Sequence, residues 1–275
     1  MTGAGEAAAG YVLLHWPRAH WRVPRIAAFG MPADLSAAIV AAHGAGLHVA
    51  LVDGDQIALS FGPDVLQPAS PAEAAAAILR LSRGEALAPG ATLTHDPRLT
   101  ILCCTDGKMD PCCARYGFAT WKALRAAADP ARFRVLQSTH IGGCRFAASL
   151  LVLPERARYG RLEPAQVPDF LAALASGQPY LPAWRGDARL DPAAQVADHA
   201  AREHAARLGE ALVTPPEAFA ANGDEAVFRA ALQSGPVEIR LREAVFPVNT
   251  RCKTLSEDVP SETTNRWVLT SLDRL

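Results

Sequence analysis

Apolar and polar positions alternate in short blocks along the first two thirds of the chain, and the blocks switch between two periods. Tyr11–His15, Arg25–Phe29 and Leu47–Val52 read as short strands. The alanine-rich run Asp34–Ala45 carries helical spacing and stops at Gly46, a residue suited to a left-handed C-cap. Asp53-Gly54-Asp55 lies between the apolar runs Leu47–Val52 and Gln56–Phe61 and predicts a hairpin. Pro71–Ser82 has proline in its first turn and Gly84 just past its end, which predicts a helix. Strands alternating with helices make residues 1–95 an N-terminal α/β domain.

After a junction at Thr92–Pro97 the alternation begins again. Strand Leu99–Cys104 leads through Asp106-Gly107 into a helix over Cys112–Ala127. Strand Arg134–Gln137, the loop His140–Cys144, strands Ala148–Leu153 and Arg158–Leu162, and helix Pro164–Ala175 follow. That order is the order of a thioredoxin-like domain over residues 96–180. Residues 181–275 form a C-terminal helical and strand extension. It comprises helices Pro192–Leu208 and Asp224–Gln233, a strand Val237–Leu241 continuing to Val248, and a strand Trp267–Leu272. No strict internal repeat is visible.

Composition narrows the function classes. A formal net charge of −1 leaves no electrostatic footprint for nucleic acid or an anionic membrane surface. No apolar run reaches the roughly 18–20 residues of a membrane span, and the start lacks a signal-peptide pattern. Cytoplasmic residence is the expectation, and there thiols stay reduced unless a metal takes them. Five of the six cysteines crowd into residues 103–144, and Cys252 stands apart, which suits a soft-donor centre better than a disulfide scaffold. Cys103 ends an apolar strand and reads as a buried small hydrophobe. The donors Cys104, Cys113, His140 and Cys144 sit in two pairs on loops beside strand ends. Gly107, Gly142 and Gly143 let the backbone of those loops come close to a metal. At this point Cys112 stands as an alternative to Cys113. Three cysteines with one histidine are also a structural zinc set, although the eight-residue gap from Cys104 to Cys113 exceeds the usual two to four. No C-x-x-C occurs, which argues against a thiol–disulfide oxidoreductase.

The run Cys104-Thr-Asp-Gly-Lys-Met-Asp-Pro-Cys-Cys113-Ala, then Ser138-Thr-His-Ile-Gly-Gly-Cys-Arg-Phe-Ala147, Leu151-Val-Leu-Pro154 and Tyr159-Gly-Arg161, resembles the sucrase/ferredoxin-like family, relatives of the thioredoxin-like [2Fe-2S] ferredoxins. His15-Trp16-Pro17, Trp21 and Arg185-Gly186 extend the resemblance weakly toward both ends. It implies an α/β fold with a thioredoxin-like [2Fe-2S] ferredoxin domain. It also implies a cluster held by two cysteines of the first segment and a histidine pair of the second. By position the ligands become Cys104, Cys113, His140 and Cys144. The chain departs at Cys144, where the family's histidine is usual, and at Asp106, also commonly histidine, which is expected just outside the ligands. The implied function is single-electron transfer between a reductase and an acceptor, by a carrier rather than an enzyme, with a homodimer left open. Two other readings are a redox or iron sensor that uses the cluster as a switch, and a zinc-stabilised structural protein.

Overall fold

A computed structural model describes residues 2–4, 8–249 and 261–275, so Cys252 lies outside the described residues. The apolar strands assemble into one ten-stranded mixed sheet, ordered β10-β9-β8-β6-β7-β2-β1-β3-β4-β5. Its first half holds β1 (Gly10–His15), α1 (Ala33–Gly44), β2 (Leu47–Val52), β3 (Leu59–Phe61), β4 (Asp64–Leu66), α2 (Pro71–Ser82) and β5 (Leu93–His95). The second half holds β6 (Leu99–Cys104), α3 (Phe118–Ala127), β7 (Phe133–Ser138), β8 (Ser149–Leu153), β9 (Ala157–Gly160), α4 (Val167–Ala175) and β10 (Trp184–Asp187).

In the second half β6 and β7 are parallel, β8 runs antiparallel to β6, and β9 antiparallel to β8. With α3 after β6 and α4 after β9, this is the thioredoxin-like arrangement that the element order predicts. The first half repeats it. β1 and β2 are parallel, β3 is antiparallel to β1, β4 to β3, and α1 and α2 occupy the places of α3 and α4. Each half then adds a fifth antiparallel strand, β5 on β4 and β10 on β9. The chain is therefore a topological tandem repeat, joined where β2 meets β7 antiparallel at Val52 and Ser138.

Period-two alternation divides the side chains between the sheet's faces. Val12, Leu14, Leu51 and Leu59 pack with α1 and α2, and Ile101, Cys103, Leu150 and Val152 pack with α3 and α4. The alternate residues turn to the other face. There Tyr11, Leu13, Ala50 and Val52 of the first half share one buried cluster with Leu102, Cys104 and Leu151 of the second. Burial of each such aliphatic side chain contributes roughly 1.5–3 kcal/mol, so the halves are bound by a common core.

Helix α5 (Pro192–Leu208) follows, capped by the Asp191 carboxylate on the Ala194 N–H (2.8 Å) and ended by left-handed Gly209. Its buried alanines, Ala193, Ala197, Ala200, Ala201 and Ala205, let it lie close on Phe228, Val237, Ile239 and Leu241. Those belong to a separate antiparallel meander, β11 (Leu212–Asn222), β12 (Glu225–Leu232), β13 (Gly235–Val248) and β14 (Glu262–Arg274).

Three local expectations are corrected. Asp224–Gln233 is strand β12 and not a helix. Ala226, Phe228, Ala230 and Leu232 are all buried at a spacing of two, and this outweighs the helical composition. The predicted hairpin does not form, because β2, buried along Val49–Val52, needs neighbours on both sides and takes β1 and β7; β3 pairs on the far side of β1 instead. Arg25–Phe29 contains a 3-10 turn, Arg25–Ala27, in a segment punctuated by Pro17, Pro24 and Pro32, which cannot donate to a sheet. The helix expected over Cys112–Ala127 does form, with a π-helical turn, Cys113–Gly117, between its first residues and α3.

Candidate metal centre

The site lies at the C-terminal ends of the parallel strands β6 and β7. Alternation along β6 decides between the adjacent cysteines. Cys103 faces α3 and α4, where its thiol donates to the Gly117 carbonyl (3.2 Å) and burial pushes its pKa far up. Cys104 faces the shared core with Cys113 and Cys144.

The chain leaves β6 through a tightly tied loop. The Thr105 N–H reaches the Ser138 carbonyl (3.1 Å), fixing the loop to the end of β7. The Asp110 carboxylate takes the Cys112 N–H (2.9 Å), and the Asp110 carbonyl takes that of Cys113 (3.0 Å). Gly107 serves by close approach: a Cβ there would stand 2.6 Å from the Cys Sγ-bearing turn's Ala114 Cβ. Gly117 is tighter still, since a Cβ would strike the Cys104 carbonyl. The wide π turn thus presents Cys113 beside Cys104, and such turns recur at functional sites. The free thiols of the described residues are Cys103, Cys104, Cys113 and Cys144; Cys112 is not one of them.

The second loop is held by its carbonyls. Arg25, from the first half, donates to the His140 carbonyl (2.7 Å), Arg158 to that of Ile141, and Ser149 Oγ to that of Gly142 (3.0 Å). The Gly143 and Cys144 carbonyls accept from the Phe146 and Ala147 N–H groups (2.8 and 3.0 Å). Gly142 and Gly143 have φ of 88° and 77°, which L side chains resist, and a Cβ on Gly143 would run into the Arg185 guanidinium. Among the described residues no backbone carbonyl accepts the N–H of Gly142 or Gly143. Asp106 does lie just outside the donors, its carboxylate accepting the His140 N–H at 3.4 Å.

The four donors touch one another. Cys144 Sγ lies 3.1 Å from His140 Nδ1, His140 also bonds Cys104, and Cys113 bonds both Cys104 and Cys144. The bond from Cys113, against burial and helped by His140, brings Cys104 down to about 6; the same balance brings Cys144 down to about 5. Cys113, donating to both, ionises last and is driven far up. Burial works against protonation of His140, but the bonds to Cys104 and Cys144 outweigh it and lift the imidazole to about 10. Two thiols are thus poised as thiolates, the form that binds metals. Drawn together in this way, the donors do not stand apart around a common centre, and among the described residues no group of three or more His, Cys, Asp or Glu is spaced to hold a metal ion.

Sequence reasoning missed Arg25, Arg158 and Gly117. Arg25 lies 115 residues from the carbonyl it grips, and only its position between two prolines marks it. Arg158 is 1% exposed and also donates to Tyr11 Oη (2.7 Å). Glycine inside a helical run was the available signal for Gly117.

A thioredoxin-like α/β protein with a buried thiol and imidazole site at the ends of its central strands is the class that fold and site define. The family model described as sucrase/ferredoxin-like matches residues 37–186, over half of the 275-residue chain, and spans every donor above. The chain belongs to that family. No curated protein is similar enough to count as a match. Among solved structures, a thioredoxin-like [2Fe-2S] ferredoxin from Aquifex aeolicus is 17% identical over 32% of this chain and 89% of its own, with a TM-score of 0.29. A second structure of the wild-type Aquifex aeolicus protein gives 18%, 32%, 95% and 0.29. No helix of the described residues is long and apolar enough to cross a membrane.

Proposed function

We propose that the chain is a one-electron carrier that holds a [2Fe-2S] cluster through the Cys104, Cys113 and Cys144 thiolates and the His140 imidazole. The observation that supports it most is the mutual contact of three buried thiols and one half-buried imidazole, gathered from two loops that the sequence separates. The donor set fits the group: soft thiolates and an imidazole are the ligands of iron–sulfur centres. The Gly142 and Gly143 N–H groups, which no backbone carbonyl takes among the described residues, are donors of the kind that tune such centres. When bound, the cluster supplies reversible single-electron chemistry.

The residues of the chain do the rest. Burial of Cys104, Cys113 and Cys144 excludes water, and Arg25 sets a positive charge near Cys104 that offsets thiolate charge. His140, the half-buried donor, holds a proton at one ring nitrogen when the other is a ligand. One imidazole in place of a thiolate removes a negative charge, so the potential is expected between plant-type clusters (roughly −400 mV) and Rieske centres (about −150 to +300 mV). Loss of the His140 proton on oxidation makes it fall with rising pH.

Iron and acid-labile sulfide on anaerobically purified protein, with EPR of the reduced form, test the reading. Two irons, two sulfides and a rhombic signal are expected. Colourless protein with stoichiometric zinc overturns it.

A further inference from the structure

We infer that the two equivalent loops, 16–31 of the first half and 105–117 of the second, form a cationic, aromatic face that docks an acidic redox protein. This rests on the electron-carrier reading and supplies its class of partner.

Each loop links the first strand of a half to its first helix, β1 to α1 and β6 to α3, and the tandem arrangement brings them together. Lys108 Nζ donates to the Trp21 carbonyl, Arg18 stacks 5.3 Å from the Phe118 ring centre, and Arg25 holds the His140 carbonyl. The first half has no cysteine, and β1 ends in His15 where β6 ends in Cys104. Its loop therefore borders the centre without a sulfur of its own.

The charges on this face are one-sided. Arg18, Arg22, Lys108 and Arg115 are exposed, and none has a carboxylate partner among the described residues. The acids within the loops are buried, and exposed Asp34 and Asp53 flank the first loop. Asp106 and Asp110 are buried and accept the His140 and Cys112 N–H groups, and Asp53 accepts the Arg18 N–H at 3.0 Å. Away from the loops, Arg98, Arg189, Arg202 and Arg240 each pair with a carboxylate, while Arg125, Arg161 and Arg207 have no such pair among the described residues. The two loops thus present four exposed cations without an ion pair among the described residues, beside the half-buried His140.

Aromatic rings stand among them. Phe29 is 64% exposed with its ring edge-on to His20, Tyr116 is 47% exposed beneath Arg115, and Phe118 is 36% exposed. Arginine and large aromatics are the residues that anchor protein interfaces. Unpaired surface charge of one sign raises the encounter rate with a partner of the other sign and is screened by salt.

The test uses the full chain and flavodoxin, an acidic one-electron flavoprotein, as the probe. Binding by fluorescence anisotropy at low salt is expected to weaken about tenfold or more when ionic strength rises to roughly 0.3 M. The triple reversal Arg18→Glu, Arg22→Glu, Arg115→Glu is expected to weaken low-salt binding about tenfold or more. The triple Arg83→Glu, Arg207→Glu, Arg274→Glu, of equal charge change elsewhere, should bind within about twofold of the starting chain. No binding by the starting chain, binding indifferent to salt, or equal loss in both triples overturns the proposal. Should the reversal fail to fold, the salt series decides alone. Protein that lacks iron, or that dithionite cannot reduce, instead overturns the electron-carrier reading, while anisotropy still decides the surface.

Discussion

A single side-chain alternation separates Cys103 from Cys104, and it was legible in the sequence because β6 is a short apolar strand with a fixed period. The spacing of Cys104, Cys113, His140 and Cys144 was likewise readable as two donor pairs. Spacing alone left Cys112 beside Cys113, and only the family resemblance favoured Cys113, which the structure places in a π turn and in one cluster with Cys104 and Cys144. Little in the sequence pointed to Arg25 or Arg158, since the loop groups they hold are backbone carbonyls, which carry no residue identity. Two outcomes belong here. Cys144→His should keep a cluster and raise its midpoint potential in protein-film voltammetry, as one more thiolate charge is removed. Arg25→Met should leave the His140 carbonyl without its charged donor and lower the unfolding free energy by about 1–3 kcal/mol in a denaturant titration.

Elements were legible wherever composition and period agreed. α2, α5, β2 and β6 match their sequence-predicted bounds, and each combines a clear period with a cap or a dense apolar run. Asp224–Gln233 failed where the two disagreed: alanine and glutamate indicated a helix, while the buried alternation of β12 obeyed its neighbours. Gly143→Ala should cost about 1–3 kcal/mol, because left-handed backbone and the Arg185 guanidinium both oppose a Cβ; thermal melting reads it. At the entry to β6 the Arg98 hydrogen bond, against burial, holds the Asp96 carboxyl at about 2 rather than 3.8, and Arg134 adds to it from 3.5 Å. A depressed carboxyl stabilises the fold above its unfolded pKa. That contribution should therefore be full above about pH 4 and lost as pH falls toward about 2. Asp96→Asn should flatten this limb of the stability profile.

At the scale of the molecule, the thioredoxin-like order of the second half was readable, and its repetition in the first was not. The repeat is in strand direction and sheet order, which many sequences satisfy, and the two halves differ in loops and donors. The shared core, with Leu13 and Val52 against Leu102 and Cys104, binds the halves more closely than a linker between domains would. A chain cut to residues 96–275 exposes those side chains and the free edge of β7. It is expected to elute from size exclusion as aggregate, and co-expression with residues 1–95 should restore a compact species.

The hydrogen-bonded seam between β2 and β7 is short, for all that their side chains mesh. It consists of the Val52–Ser138 pairing, the Asp53 N–H on the Gln137 carbonyl (3.3 Å), and the mutual bonds of Leu51 and Thr139. Deuterium should therefore enter the Thr139 amide well before that of Leu102, which lies in the middle of β6 between two full ladders. Since Thr139 is the residue before His140, opening of that seam would loosen the backbone one residue from the imidazole.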